Sequence, residues 1–305
     1  MAAAVKKDVA KLMLNGGSQA EKRQTRSAAG RFCVLVNSSD HGRDIFEIVF
    51  RNSEAMWRYC DWPRYVGFTS QHSDMYGFKA VAAKGAGWRE QLGAQLDGLP
   101  PEIDYVLRLE EDYLFLSPVD GTKLDVIAEL IARENLVYVN LIPVSRSLLG
   151  SAIEFLRKRM SRQPLRPLSF FEPYYSSTTP AIWKRSYLRE LLRRPGNIWE
   201  FEHIVSDQRH YAVWKPVLDY DPIVTKGKWN SRARRQLARQ GLSLANSSRE
   251  FEAAQSRLRG LRQRITFALV GYLSFRIRKR FNWLPHVPKE LTKDQLDSVG
   301  EASPQ

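Results

Sequence analysis

The fold of this chain is decided by residues 105–115, which have the sequence YVLRLEEDYLF. The first five residues form a mostly apolar run of strand length, and three consecutive acids, Glu110 to Asp112, follow it directly. Such a run is typical of a strand that is covered on both faces in a parallel sheet. Because neighbouring strand residues point to opposite faces, Glu110 and Asp112 are expected on one side and Glu111 on the other.

Two more apolar runs occur nearer the N-terminus, at residues 32–36 and 65–69, and helical spacing of apolar residues alternates with them over residues 45–59 and 88–99. This alternation predicts an α/β fold with a mainly parallel sheet flanked by helices. Ligands of such sheets bind beyond the carboxyl ends of the strands, so polar residues at those ends are candidate binding residues. They are Asn37, Ser38, Ser39, Asp40, Thr69, Glu110, Glu111 and Asp112.

Composition excludes several classes of protein. The chain has 305 residues, of which 43% are hydrophobic and 26% charged, as is ordinary for a soluble globular protein. Two cysteines exclude a disulfide-stapled module and a four-cysteine zinc site. No signal peptide and no membrane-spanning run of about 20 apolar residues is expected. The glycine-rich loops of P-loop enzymes and dinucleotide oxidoreductases are absent from the sequence.

The net charge of +14 is concentrated in one segment. Residues 226–283 contain fifteen Lys or Arg and two acids, a net charge of +13. Within them, residues 265–275 carry no charge and are flanked by arginines. As a helix this stretch would be about 16 Å long, too short to span a bilayer but suited to lie in its headgroup region. The alternatives are a core helix and a nucleic-acid-binding helix. The bulky apolar centre disfavours nucleic-acid binding, and no nucleic-acid partner is expected.

These observations predict four regions. Residues 1–30 form a tail, residues 31–242 the α/β domain, residues 243–284 a basic amphipathic segment on an anionic membrane surface, and residues 285–305 a second tail.

The strand and its acids, with Pro118-Val119-Asp120 after them, resemble the acidic-motif strand of glycosyltransferases with the GT-A fold. Residues 177–188 and 199–202 extend the likeness to bacterial enzymes that build cell-surface polysaccharides, over roughly residues 32–229. The resemblance implies a hexosyltransferase with a nucleotide-diphosphate-sugar donor over the sheet edge. It also implies a glycan or lipid-linked acceptor and a cytoplasmic location on the inner face of the cell membrane.

The acidic motif departs from the family pattern, which has Asp at both metal-facing positions, whereas this chain has Glu110 at the first. Glu110 and Asp112 together could hold Mg²⁺ or Mn²⁺, or Glu110 could bind a sugar hydroxyl instead. Lys226 and Lys228 could neutralise the diphosphate, or they could simply begin the basic segment.

Direct displacement of the nucleoside diphosphate requires a base for the acceptor hydroxyl, and the candidates are Glu200 and Glu202. Asn197 and Glu200 have the spacing of a capping box, which is a structural role, so Glu202 is favoured. Both acids could instead be a solvated first helical turn. A single base predicts inversion at the transferred sugar.

Acceptor contacts are expected from hydroxyl and aromatic side chains of residues 177–188 and 199–202, although large aromatic side chains more often belong to the core. The candidates are Ser177, Thr178, Thr179, Trp183 and Trp199.

The competing hypothesis is a non-catalytic basic protein that docks on membrane or nucleic acid through residues 226–283. The oligomeric state stays open.

Overall fold

A computed structural model of the chain describes residues 30–70, 73–142, 164–168, 175–178, 180–202, 204, 208–244 and 247–252. Its centre is an eight-stranded sheet with the strand order β3-β2-β1-β4-β8-β6-β9-β7. The strands are β1 (Phe32–Asn37), β2 (Arg64–Phe68), β3 (Lys79–Ala82), β4 (Tyr105–Glu110), β6 (Tyr138–Asn140), β7 (Leu165–Pro167), β8 (Ala181–Lys184) and β9 (Tyr211–Val213).

The sheet is mainly parallel, as predicted. Strands β3, β2, β1 and β4 pair in parallel, and β6 pairs in parallel with β9. Strand β8 lies antiparallel between β4 and β6, and β7 is antiparallel to β9. Within the described residues, the sheet therefore has six strands in one direction and two in the other.

Helices cover both faces of the sheet, which explains why all six residues of β1 are buried. Val34 and Val36 belong to a hydrophobic cluster with helix residues such as Phe46, whereas Cys33 and Leu35 belong to a second cluster with residues such as Leu92. The helices are α1 (Arg43–Phe50), α2 (Ser53–Trp57), α3 (Trp88–Asp97), α4 (Gly121–Glu134), α5 (Arg185–Leu192), α6 (Ile198–Phe201) and α7 (Ala233–Arg239), with a 3-10 turn at Asp40–Gly42. The α/β fold class predicted from the sequence is confirmed.

Two small antiparallel pairs lie beside the main sheet. Strand β5 (Tyr113–Phe115) pairs with β10 (Tyr220–Pro222), and β11 (Val224–Thr225) forms a hairpin with β12 (Lys228–Trp229). The backbone N–H of Ile223 donates to the carbonyl of Asp112, at 3.1 Å. The hairpin therefore starts next to the acidic cluster.

Most of the predicted terminal regions fall outside the described residues. This applies to the N-terminal tail except Gly30, to residues 253–284 of the basic segment and to the C-terminal tail. In the part of the chain that the structure describes, no helix is long and apolar enough to cross a membrane.

Candidate active site

Two strand ends are joined at the predicted edge by side-chain hydrogen bonds. Asn37 is the last residue of β1 and pairs in register with Glu110, the last residue of β4. The Asn37 Nδ2 donates to Glu110 Oε2 at 2.9 Å, and the buried Gln95 Nε2 donates to Asn37 Oδ1 at 3.1 Å. Gln95 reaches the sheet because it lies over Gly67, where an added Cβ would overlap its side chain.

The loops after β1 and β2 also meet. The Asp40 backbone N–H approaches Thr69 Oγ1 at 3.4 Å, and the Ser70 backbone N–H donates to Asp40 Oδ1 at 3.3 Å. Ser38 is buried, whereas Ser39 is partly exposed and Asp40 is exposed. The residues predicted at these strand ends therefore form one continuous rim, on which Ser39 and Asp40 are the residues accessible to solvent.

Glu110 forms an ion pair with a residue that the sequence analysis did not single out. Arg108 lies two positions earlier in β4, on the same face, and is 1% exposed. Its Nη2 donates to Glu110 Oε1, so both carboxylate oxygens of Glu110 are engaged, one by Arg108 and the other by Asn37. The guanidinium also lies over the ring of Trp88, 5.4 Å from the ring centroid.

The other two acids of the cluster are harder to ionise than ordinary carboxyls. Burial, followed by repulsion from Glu110, raises the pKa of Glu111 to about 8 and that of Asp112 to about 7. A hydrogen bond from the Val224 backbone N–H acts in the opposite direction on the pKa of Asp112. Glu111 packs so closely on the 3-10 turn that a Cβ on Gly42 would lie 2.6 Å from its Oε1.

The predicted metal site at Glu110 and Asp112 does not fit this arrangement. A divalent ion on Glu110 would share oxygens that already accept from Arg108 and Asn37, and it would lie beside a buried guanidinium that repels it. Among the described residues, no three His, Cys, Asp or Glu side chains converge in a group that could hold a metal ion. Glu110 is therefore the anionic partner of Arg108 here.

The segment 177–188, which carries part of the family resemblance, reaches the same edge of the sheet through Thr178. The Thr178 carbonyl accepts from Arg108 Nη1 at 2.8 Å and from the Tyr113 hydroxyl at 3.3 Å. The Thr178 backbone N–H and hydroxyl both donate to Glu202 Oε1, at 2.9 Å and 2.5 Å. Glu202 is 6% exposed. One chain of contacts thus links Asn37, Glu110, Arg108, Thr178 and Glu202.

The two candidate bases have different environments. The predicted capping box is confirmed: Asn197 Oδ1 accepts from the Glu200 backbone N–H at 3.0 Å, and Glu200 Oε2 accepts from the Asn197 backbone N–H at 2.6 Å. Glu200 therefore caps α6 from an exposed position. Arg89 fixes the approach to this helix by donating to the carbonyls of Leu191 and Gly196. Of the two acids, only Glu202 contacts the network of the sheet edge.

The prediction that Trp183 contacts the acceptor is wrong. Trp183 is 0% exposed and packs on Tyr138 and Phe201, because β8 is an interior strand covered by helices. Ser177 is also buried, and its predicted contact stays a prediction. Thr179 and the side chain of Trp199 lie outside the described residues.

Lys226 and Lys228 belong to the β11–β12 hairpin. Lys226 is exposed at its turn with φ 50°, a left-handed conformation that Gly227 continues. Lys228 Nζ forms an ion pair with Glu250 Oε2 at 2.6 Å. The start of the hairpin contacts Asp112 through Ile223 and Val224, while Lys226 lies at its turn and Lys228 is already paired.

Arg108, Gln95 and Arg89 are the site residues that sequence reasoning missed. The signal for Arg108 was present, since a charged residue inside an apolar strand needs a partner and Glu110 is the next residue on its face. Gln95 and Arg89 gave no such signal, because polar residues on a helix are ordinarily solvated.

No protein-family model and no curated protein matches the chain. Residues 1–349 of TarS from S. aureus match with 11% identity and a TM-score of 0.39 over 62% of this chain and 59% of that one. The match therefore spans less than two thirds of that TarS fragment. With so low an identity and a TM-score below 0.5, the match carries no functional argument.

Two further solved structures are similar. The mannosyltransferase PcManGT from Pyrobaculum calidifontis, solved with GDP-Man and Mn²⁺, has 12% identity and a TM-score of 0.40 over 88% of this chain and 78% of that one. A cytidylyltransferase from Leptospira borgpetersenii has 13% identity and a TM-score of 0.35 over 57% and 69%. The residues of the site must therefore carry the functional argument.

Proposed function

We propose that the chain is a glycosyltransferase that moves a hexose from a nucleotide-diphosphate sugar to an acceptor hydroxyl. The observation that carries the proposal is the continuous set of contacts from Asn37, at the end of β1, through Arg108 to Glu202. It joins the edge where α/β sheets bind nucleotides to a carboxylate that can take a proton.

The donor would lie on the rim formed by Asn37, Ser38, Ser39, Asp40 and Thr69. Partly exposed hydroxyls and the Asp40 carboxylate suit the base and ribose of a nucleotide. Glu111 and Asp112 would accept from ribose or sugar hydroxyls. Lys226 and Lys228 would supply positive charge to the diphosphate, which needs stabilisation as it leaves. No step is assigned to a metal ion, since Glu110 is engaged by Arg108.

Glu202 would act as the general base. The acceptor hydroxyl gives its proton to the carboxylate as its oxygen bonds to the anomeric carbon. The bond from that carbon to the diphosphate oxygen breaks with its electron pair, so the nucleoside diphosphate leaves and the sugar is inverted. A positioned base of this kind contributes roughly 10²- to 10⁴-fold to the rate.

The acceptor would be a polysaccharide or lipid-linked glycan of the cell envelope, reached at the inner face of the membrane. Arg234, Arg235 and Arg239 are exposed on α7, whose first residue, Ala233, donates its backbone N–H to Asn230 Oδ1 close to the hairpin. They belong to the basic sequence segment 226–283, and each basic residue near an anionic bilayer contributes about 1 kcal/mol. Deletion of residues 257–284 is expected to release the protein from anionic vesicles, and retention on the vesicles would contradict membrane attachment through this segment.

Donor hydrolysis tests the proposed activity. Purified full-length protein is expected to release nucleoside diphosphate slowly from one of a panel of nucleotide sugars, and Asp112→Ala should abolish that release. Glu190→Gln, an exposed acid on α5, is the matched control and should leave hydrolysis unchanged. If no nucleotide sugar is hydrolysed or raises the melting temperature, the competing hypothesis of a non-catalytic basic docking protein is favoured.

A further inference from the structure

Arg108 is a charge in the middle of the central sheet. It lies in β4 between Leu107 and Leu109, with 1% of its surface exposed. An unpaired charge in such a place is very costly, so the contacts of its guanidinium account for its presence there. They are the carboxylate of Glu110, the carbonyl of Thr178 and the face of Trp88, while its Nε has no hydrogen-bond partner among the described residues.

The guanidinium binds two segments that are distant in sequence. Glu110 ends β4, whereas Thr178 precedes β8, 70 residues from Arg108. A guanidinium is planar and rigid, so its Nη1 and Nη2 fix the relative position of the two groups that they contact. A lysine ammonium is a point charge on a flexible stem and lacks this fork.

Thr178 transmits the position that Arg108 sets. Its carbonyl accepts from Arg108, and its own N–H and hydroxyl hold one oxygen of Glu202 at 2.9 Å and 2.5 Å. A shift of the Thr178 backbone would therefore move Glu202. A misplacement of about 1 Å at a reacting group can reduce the rate about 10²-fold.

We propose that Arg108 is a positioning residue that couples the donor side of the site, at Asn37 and Glu110, to the proposed base, Glu202. The inference rests on the proposed function for its catalytic consequence. Arg108 acts through Thr178 and Glu110, and it does not itself touch substrate. An ordinary buried ion pair would support the fold alone, so the test must separate position from stability.

Arg108→Lys keeps the positive charge but cannot serve both partners with a fixed fork. Its kcat at saturating donor is expected to fall at least about tenfold, with a smaller change in the KM for donor. Arg166→Lys is the matched control, because Arg166 is equally a buried arginine of the sheet but lies in the edge strand β7. It should lower the melting temperature without reducing kcat.

Hydrogen exchange gives a readout that does not depend on activity. The Thr178 amide donates to Glu202, so Arg108→Lys should accelerate its exchange at least about tenfold while the paired amides of β4 and β8 stay protected. Uniform acceleration along β4 and β8, or an unchanged rate at Thr178, would overturn the proposal. If no nucleotide sugar is turned over by the wild-type chain, the proposed function fails, and the exchange result still decides the role of Arg108.

A second pair of variants covers the case in which Arg108→Lys does not fold. Glu110→Gln weakens the link on the donor side, and Thr178→Val removes the hydroxyl bond to Glu202. If the two residues act through Arg108, the loss of kcat in the double variant will be at least about threefold smaller than the product of the single losses. Independent, multiplicative losses would show that Arg108 does not couple them.

Discussion

His210 is expected to make stability depend on pH in a way that one substitution can isolate. The side chain is fully buried, with Nδ1 2.9 Å from the Tyr175 carbonyl and Nε2 2.8 Å from the Tyr187 hydroxyl. A carbonyl only accepts, so Nδ1 carries the proton and Nε2 accepts from Tyr187. The Tyr175 ring stacks on it at 4.2 Å. Burial lowers the pKa of His210 to about 3.

The magnitude follows from the difference between this pKa and the value of about 6.5 in an unfolded chain. Because the folded-state pKa is the lower one, the stability that neutral His210 provides is present above pH 6.5 and is lost as the pH falls towards 3. Between pH 7 and pH 5 the loss amounts to about 2 kcal/mol. His210→Gln removes this contribution, whatever constant penalty the altered hydrogen bonds add.

The assay is urea unfolding of wild type, His210→Gln and the exposed control His41→Gln at pH 7 and pH 5. Glu111 and Asp112 have raised pKa values and therefore change stability in the opposite direction over part of this range, so the wild-type slope alone is not informative. The free-energy difference between wild type and His210→Gln is expected to shrink by about 2 kcal/mol on going to pH 5. If the difference in unfolding free energy between the two proteins stays constant within about 0.5 kcal/mol, the inference that His210 is buried in its neutral form is refuted.

Three further predictions concern the site. Glu202→Gln should lower kcat at least about 100-fold with little change in donor affinity. Glu200→Gln should keep kcat within about threefold of wild type, because Gln preserves the capping box. Equal losses of kcat for the two variants, measured at saturating donor, would contradict the assignment of Glu202 as the base. Trp183→Ala should cost about 3–5 kcal/mol in urea unfolding, and a stable variant with only a raised acceptor KM would restore the stacking role. Gly42→Ala should weaken donor binding severalfold in calorimetry because its Cβ would displace Glu111, and unchanged affinity would show that Glu111 does not contact the donor.

The strands that define the fold could be predicted because their signal is local. Residues 32–37 and 105–109 are continuous buried runs, and the polar residues Asn37 and Glu110 at the two strand ends meet on one rim. The capping box at Asn197 was predictable for the same reason, since all its atoms come from four consecutive residues. Arg108 was predictable in principle from strand alternation, but its second partner, Thr178, was not, because the contact spans 70 positions.

The position and direction of strand β8 explain both why the prediction of an acceptor contact for Trp183 failed and how the site is assembled. Strand β8 is antiparallel to β4, with Ala181 paired to Arg108, and no local pattern in residues 181–184 specifies that direction. As an interior strand it buries Trp183 between helices and sheet. As an antiparallel strand it begins at the edge where β4 ends, so residues just before Ala181 face those just after Arg108. A parallel β8 would place Thr178 at the opposite edge, beyond the reach of Arg108 and Glu110. The proposed base therefore reaches the nucleotide edge because of this reversal.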